Sequence, residues 1–353
     1  MILEIFPASD GDCLLLSCGD GPRTNILIDG GRSDGYALLK PRLDRIAEAG
    51  ERLDLLVLSH IDADHIEGLL ELVEDTERKV QISEVWFNGF DQLKRIESFG
   101  FKHADRFSKA LARSGLPINV SFGGGAIEVP SQGELPTREL PNDVKVTLLS
   151  PDRKRLNRLS DEWDDWRQPE SIPEKVEVEV PSGLESLGRG PIGRIDVDAL
   201  ADGKETIDRD TANGSSIAFI VEHHGKRALM AADAHPDLLV SSLRRLVPDG
   251  ETRYRIDLMK VSHHGSKSNT NRSLASVMDC SRFAISTDGS RHGHPDPESL
   301  AKLIKFGAKA SKTIYFNYSS AKTTPWDSPK LKEDWDYSCV FPQAGETALN
   351  VEI

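Results

Sequence analysis

The stretch Leu56–Leu70, "LVLSHIDADHIEGLL", places five ionisable side chains within eight positions: His60, Asp62, Asp64, His65 and Glu67. They sit where an apolar run ends. That run, "LDLLVLS", lacks polar alternation, which predicts a strand covered on both faces. The residues after it have helical spacing and predict a helix over about 66–77. Histidine nitrogen and carboxylate oxygen are ligands of divalent transition metals. On a loop leaving a strand, alternate residues can converge on one point, and so dense a group of acids and imidazoles needs a cation to balance it. A solvated helix N-terminus would explain Asp62 and Asp64, because acids favour that end of a helix. It does not explain both histidines.

Working outward, the same residue types recur where other strands run out. Asp233 ends "RALMAAD", His263 and His264 end "DLMKVSHHG", and His292 and His294 follow "RFAISTD". With His60, His65 and His235, seven of the ten histidines fall in such segments, too selective a placement for scattered surface residues. Near the N-terminus, "ILEIF", "CLLLSC" and "TNILIDGG" are short apolar runs separated by Gly-Asp and Gly-Pro turns, which predicts an antiparallel meander. "YALLKPRLDRIAEAG" predicts a helix, "QLKRIESFGFKHADRFSKALARSG" a largely helical stretch, and "SSIAFIVEHHGKRALMAAD" two strands joined at His224-Gly225. "CVFPQAGETALNVEI" predicts a closing hairpin. Strands in two groups, each followed by helices, suit two sheets packed face to face with helices outside.

Residues 151–212 differ from the rest. They are acidic, contain several Pro and Gly, and are too poor in apolar residues for an independent domain. The chain therefore reads as a single domain over 1–353 with an insertion at 151–212, expected to act as a lid or a partner-binding surface. The formal net charge of -13 excludes a generally basic surface, so a polyanionic substrate would depend on metal ions or a few local cations. The four cysteines form no C-x-x-C pair and predict buried thiols. No run approaches the ~20 apolar residues of a membrane span, and the N-terminus reads as strand and turn rather than a signal peptide. A soluble, cytoplasmic chain is expected.

"HIDADH" resembles the His-x-His-x-Asp-His motif of the metallo-β-lactamase superfamily, with Asp62 in place of the second histidine. That variant is similar to the ComEC-type branch, the metallo-β-lactamase domain of the DNA-uptake competence protein and its stand-alone relatives. "SDGDCLLL", "ILIDGG", "NGSSIAFIV…RALMAAD", "LMKVSHHGSKSN" and "RHGHPDP" resemble further motifs of that branch, in the same order along the chain. Asp10 replaces a usual Gln and Ala232 a usual Gly. The resemblance implies an α/β fold, the αββα sandwich of two packed mixed sheets with outer helices, and a site at one sheet edge. It implies one metal held by His60 and Asp62, a second held by Asp64, His65 and His263, and Asp233 bridging them. Asp29 would orient the loop. Where many members carry a further histidine this chain has only Asn213, which makes the first site richer in oxygen and leans from zinc toward manganese.

One or two divalent metals, Mn or Zn, would thus support hydrolysis by water activated at the metals. The expected catalytic residues are Asp64, which would bind metal and orient the water, His294 as proton donor to the leaving oxygen, and His264 as a phosphate contact. The expected function is a phosphodiesterase or nuclease acting on nucleic acid or another phosphodiester, with an operon-encoded protein partner as a further expectation. The alternatives are a hydrolase of a small lactone, thioester or phosphoester, and a non-catalytic subunit of a larger complex.

Overall fold

A computed structural model describes residues 1–89, 102–166 and 195–353. The first sheet contains β1 (Ile2–Ile5), β2 (Leu14–Cys18), β3 (Thr24–Ile28), β4 (Leu55–Val57) and β5 (Val85–Trp86). The second is built from β6 (Thr137–Leu140), β7 (Val144–Ser150), β8 (Ala218–His223) and β9 (Lys226–Met230). A short parallel pair, β10 (Tyr254–Arg255) and β12 (Met278–Asp279), flanks β11 (Leu258–Lys260) and β13 (Arg282–Ile285) of the second sheet. β14 (Lys312–Phe316) and β15 (Tyr337–Val340) complete that sheet, and β16 (Leu349–Glu352) returns to the first. The strand orders are β16-β1-β2-β3-β4-β5 and β15-β14-β13-β11-β9-β8-β7-β6. Both sheets mix parallel and antiparallel pairs, as β3 with β4 and β2 with β3 illustrate. This is the expected sandwich class.

The unalternating apolar runs are explained by what covers them. In β2, Leu14 and Leu16 join the core between the sheets, while Leu15 joins a second core beneath the helices. In β4, Leu55 and Val57 face the other sheet and Leu56 faces the helices. A strand that is apolar on both sides is stable only with layers on both sides. The helices over this face are Gly35–Glu48, Ala63–Glu74 and Lys102–Ser114. Residues 90–101, where part of the last helical stretch was expected, lie outside the described residues.

The final hairpin is a correction. β15 adds parallel to β14, whereas β16 crosses over and pairs antiparallel with β1. Leu349 and Val351 are buried in the inter-sheet core while Asn350 and Glu352 face outward, so this alternation fits β1 better than a turn back onto β15. Of the insertion, the helix Arg153–Trp166 and residues 195–212 are described, and 167–194 lie outside. Cys13, Cys18 and Cys280 are buried free thiols and Cys339 is a half-buried one. Among the described residues no helix is long and apolar enough to cross a membrane.

Candidate metal centre

The quoted stretch folds so that its polar groups meet the second sheet. The helix begins at Ala63, three residues earlier than the spacing suggested, with Asp62 at its N-cap. Asp62's side chain makes no capping hydrogen bond and remains free, while Asp64 and His65 lie in the first turn. Two glycines permit the docking. A Cβ on Gly68 would collide with the Gly30 carbonyl, and one on Gly30 with the backbone of Gly68 and Leu69. At this close approach Gly30 N–H donates to His65 O at 2.9 Å and Gly68 N–H to Gly31 O at 3.0 Å.

Asp233, just past β9, is the centre of the cluster. Its Oδ2 lies 3.8 Å from His60 Nε2, 3.6 Å from His65 Nε2, and 3.7 Å from both His263 Nε2 and His264 Nε2. Asp64 Oδ2 stands 3.7 Å from His65 Nε2 and 3.4 Å from His264 Nε2, and Asp62 Oδ2 stands 3.4 Å from His60 Nε2. These gaps exceed the ~2.7–3.2 Å of an N–H···O bond. They suit groups that share an ion, since metal bonds of ~2.1 Å put tetrahedral ligands about 3.4 Å apart. His60 Nε2, His65 Nε2, His264 Nε2 and Asp233 Oδ1 are buried with no hydrogen-bond partner among the described residues. An orphaned buried polar atom costs about 1–3 kcal/mol, so four converging orphans fit a cation that would satisfy them. Three overlapping groups emerge among the described residues, His60–His65–Asp233, Asp64–His65–His264 and Asp12–Asp29–His65.

Each imidazole is held from behind. His65 Nδ1 donates to Asp29 Oδ2 at 2.8 Å, and Asp29 also accepts from Ser59 N–H and Ser59 Oγ, both at 2.7 Å. Ser59 Oγ lies 3.0 Å from His60 Nδ1, so one carboxylate orients both rings. His264 Nδ1 donates to Ser286 O at 2.8 Å. Fixing Nδ1 in this way leaves Nε2 for a metal. Burial disfavours the charged form of these rings, but the carboxylates prevail. Asp233, Asp64 and Asp29 hold the His65 pKa well above its usual value, and Asp233, Asp12 and Asp64 push His264 up to about 10. Burial likewise opposes ionisation of Asp233, yet His263, His264 and His65 keep its pKa well below the carboxylate range.

Both paired histidines bring Nε2 to 3.7 Å from Asp233 Oδ2, but from different depths. His264 is 1% exposed and grouped with Asp64 and His65, whereas His263 lies nearer the surface, with its Nδ1 2.9 Å from Asn269 Oδ1. The reason is the backbone. His263 and His264 take left-handed φ values of 47° and 53°, as does Ala232 at 46°, so the strand-end turn brings both rings toward Asp233 with His264 the deeper. Asn213 is buried, donates from Nδ2 to Asp208 Oδ2 at 2.9 Å, and leaves Oδ1 without a partner. His294 stands outside the cluster. Its ring centroid is 5.2 Å from that of His263, and its Nδ1 is 3.4 Å from Asp296 Oδ2. Burial lowers its pKa, against the opposing pull of Asp296.

Sequence reasoning missed Asp12, Lys260, Asp208 and Asn269. The available signal was a lysine inside the apolar strand "DLMKVS", where a charge has to find a partner.

The family model described as the metallo-beta-lactamase superfamily matches residues 8–282. The chain belongs to the metallo-β-lactamase superfamily. No curated protein sequence matches it significantly. Among solved structures, it is similar to zinc-bound PqqB from Methylobacterium extorquens, with 13% identity, TM-score 0.44 and full coverage of both chains. It is similar to the short form of human tRNase Z, with 13% identity, TM-score 0.43 and coverage of 100% and 99%. It is also similar to CmlA, a diiron β-hydroxylase from Streptomyces venezuelae, with 12% identity and TM-score 0.41; all of this chain matches 54% of that one. Similarity at this level leaves the chemistry to be argued from the site itself. Members of the metallo-β-lactamase superfamily usually bind one or two divalent metals, and the His/Asp cluster agrees with membership in its metal-dependent hydrolases.

Proposed function

We propose that this chain is a phosphodiesterase of the ComEC-type branch, most readily a nuclease acting on single-stranded nucleic acid. The observation that carries the reading is the convergence of His60, His65 and His264 Nε2 on Asp233 Oδ2, with Asp62 and Asp64 beside them. His60, Asp62 and Asp233 would hold one cation, with Asn213 Oδ1 as a neighbouring oxygen donor. Asp64, His65, His264 and Asp233 would hold the other. Oxygen donors outnumber nitrogen at the first group, which suits Mn²⁺ as well as Zn²⁺. When bound, two such cations supply Lewis-acid stabilisation of phosphoryl oxygens and lower the pKa of water.

The chain's own residues do the rest. Asp64 lies where it can bind and also orient a nucleophile. His294, outside the ligand groups and partnered by Asp296, would hand a proton to the leaving oxygen from its Nε2. His263 presents Nε2 beside Asp233 from a half-buried position, suited to contact substrate.

The inserted segment supports a lid. Asp208 accepts from Asn213 and Asn269 and sits 3.5 Å from His263 Nδ1, and Thr206 bonds Ser268 at 2.8 Å. Asp208 also favours a second reading, a small uncharged lactone or thioester, because its charge beside His263 would oppose a polyanion. Metal-supplemented protein assayed on single-stranded DNA, duplex DNA, RNA, nitrophenyl phosphodiesters, lactones and thioesters separates the two. Turnover of the phosphodiesters supports the first reading; rapid turnover confined to lactone or thioester replaces it with the second.

A further inference from the structure

Behind His264 lies an ion pair that belongs to neither of the two cation sites proposed above. Lys260 and Asp12 are each fully buried, and Lys260 Nζ donates to Asp12 Oδ2 at 2.7 Å and to Val261 O at 3.0 Å. Removing two charges from water is expensive, and apolar residues of similar size often serve stability as well or better. Stability alone is therefore a weak reason for this pair. Its position suggests another. Lys260 ends β11 of the second sheet, and Asp12 lies on the loop before β2 of the first. Asp12 Oδ1 has no hydrogen-bond partner and stands 3.4 Å from His264 Nδ1. On its other side, Asp12 N–H donates to Asp64 O at 3.3 Å, and a Cβ on the adjacent Gly11 would strike that same carbonyl. Ser286 ties the arrangement together: its O accepts from His264 Nδ1, and its Oγ donates to Gly11 O at 2.8 Å. One loop thus touches Asp64 from the first sheet and His264 from the second.

We propose that the Lys260–Asp12 pair is a positioning device that registers the two sheets at the Asp64–His65–His264 group. It thereby sets the affinity of that group for its cation, with little effect on the His60–Asp62 side. This rests on the metal-site reading above. The lysine fixes Asp12 and neutralises it, so that its free oxygen orients the His264 ring without adding net charge beside the ligands. Partners of this kind typically change metal affinity 10–100-fold.

The test is calorimetric titration of metal-stripped protein with Mn²⁺, alongside thermal melting of the metal-free chain. The equivalent lost in His264→Ala identifies the group concerned. In Asp12→Asn, which keeps an oxygen for Lys260, that equivalent should bind roughly 10-fold more weakly, with the other unchanged within about two-fold. Lys260→Met should melt lower, because it leaves a buried carboxylate alone. Lys260→Met with Asp12→Asn should regain most of the melting temperature while still binding the identified equivalent 10–100-fold more weakly. Wild-type affinity for both equivalents in Asp12→Asn and in the double variant overturns the inference, as does equal weakening of both. A wild-type chain that takes up no Mn²⁺ or Zn²⁺ overturns the metal-site reading itself, and the positioning role with it.

Discussion

The two sheets contribute to the centre in different ways. The first sheet supplies His60, Asp62, Asp64 and His65 from six consecutive positions at the end of β4, oriented largely by Asp29 alone. The second supplies Asp233, His264 and Asn213 from three separate connections, through left-handed backbone at Ala232, His263 and His264. Local spacing can specify the first half. The second half depends on turns whose direction is set by tertiary packing. The first should thus tolerate nearby change so long as Asp29 and its glycine contacts persist, and the second should be sensitive to each turn.

The largest effect is expected at Asp233, on which the histidines of both halves converge. Asp233→Ala should empty both ligand groups and abolish hydrolysis, as read by metal analysis and by assay on a phosphodiester. Next, His264→Ala should lose one equivalent of metal, whereas His263→Ala should keep its metal and lose turnover. The reverse pattern would restore the roles expected from sequence and break the distinction between the halves. His294→Ala should retain its metal and lower turnover by roughly 10²–10⁴, the usual worth of a general acid. Nitrophenyl phosphodiesters, whose leaving group needs no proton, should recover much of that loss; an equal loss on them contradicts the proton-donor role.

Proton competition offers a finer comparison. The metal-free chain holds extra protons on His65, raised well above its usual pKa, and on His264, raised to about 10. Both rings must lose protons before they bind a cation, so affinity should rise as pH increases from 6 to 8, with proton release on binding. Titration in buffers of different ionisation enthalpy reads that release directly, and affinity independent of pH would contradict it. The smallest effect is expected on the first half alone. Gly68→Ala forces the helix away from Gly30 and should lower stability by about 1–3 kcal/mol, measured by denaturant unfolding.

Much of this was legible in advance, for physical reasons that differ from place to place. Periodicity and double-sided burial revealed β2, β3 and β4, because a strand between two layers has no polar face to show. His60, Asp62, Asp64 and His65 were legible because they lie close in sequence. The depths of His263 and His264 could not be read from sequence, since a left-handed turn sets them and both positions carry the same residue. β16 was misassigned because a Pro/Gly-containing link looks like a turn, while its alternation matches a strand at the other end of the chain. Lys260 and Asp12 lie 248 positions apart, beyond any local pattern.

The central claim, that residues from both sheets build one metal centre around Asp233, is tested most directly by metal analysis of chain purified without chelator after growth with added Mn²⁺ or Zn²⁺. The account predicts one to two equivalents per wild-type chain and close to none in Asp233→Ala. A wild-type chain without metal, or an Asp233→Ala chain with the full complement, would contradict it.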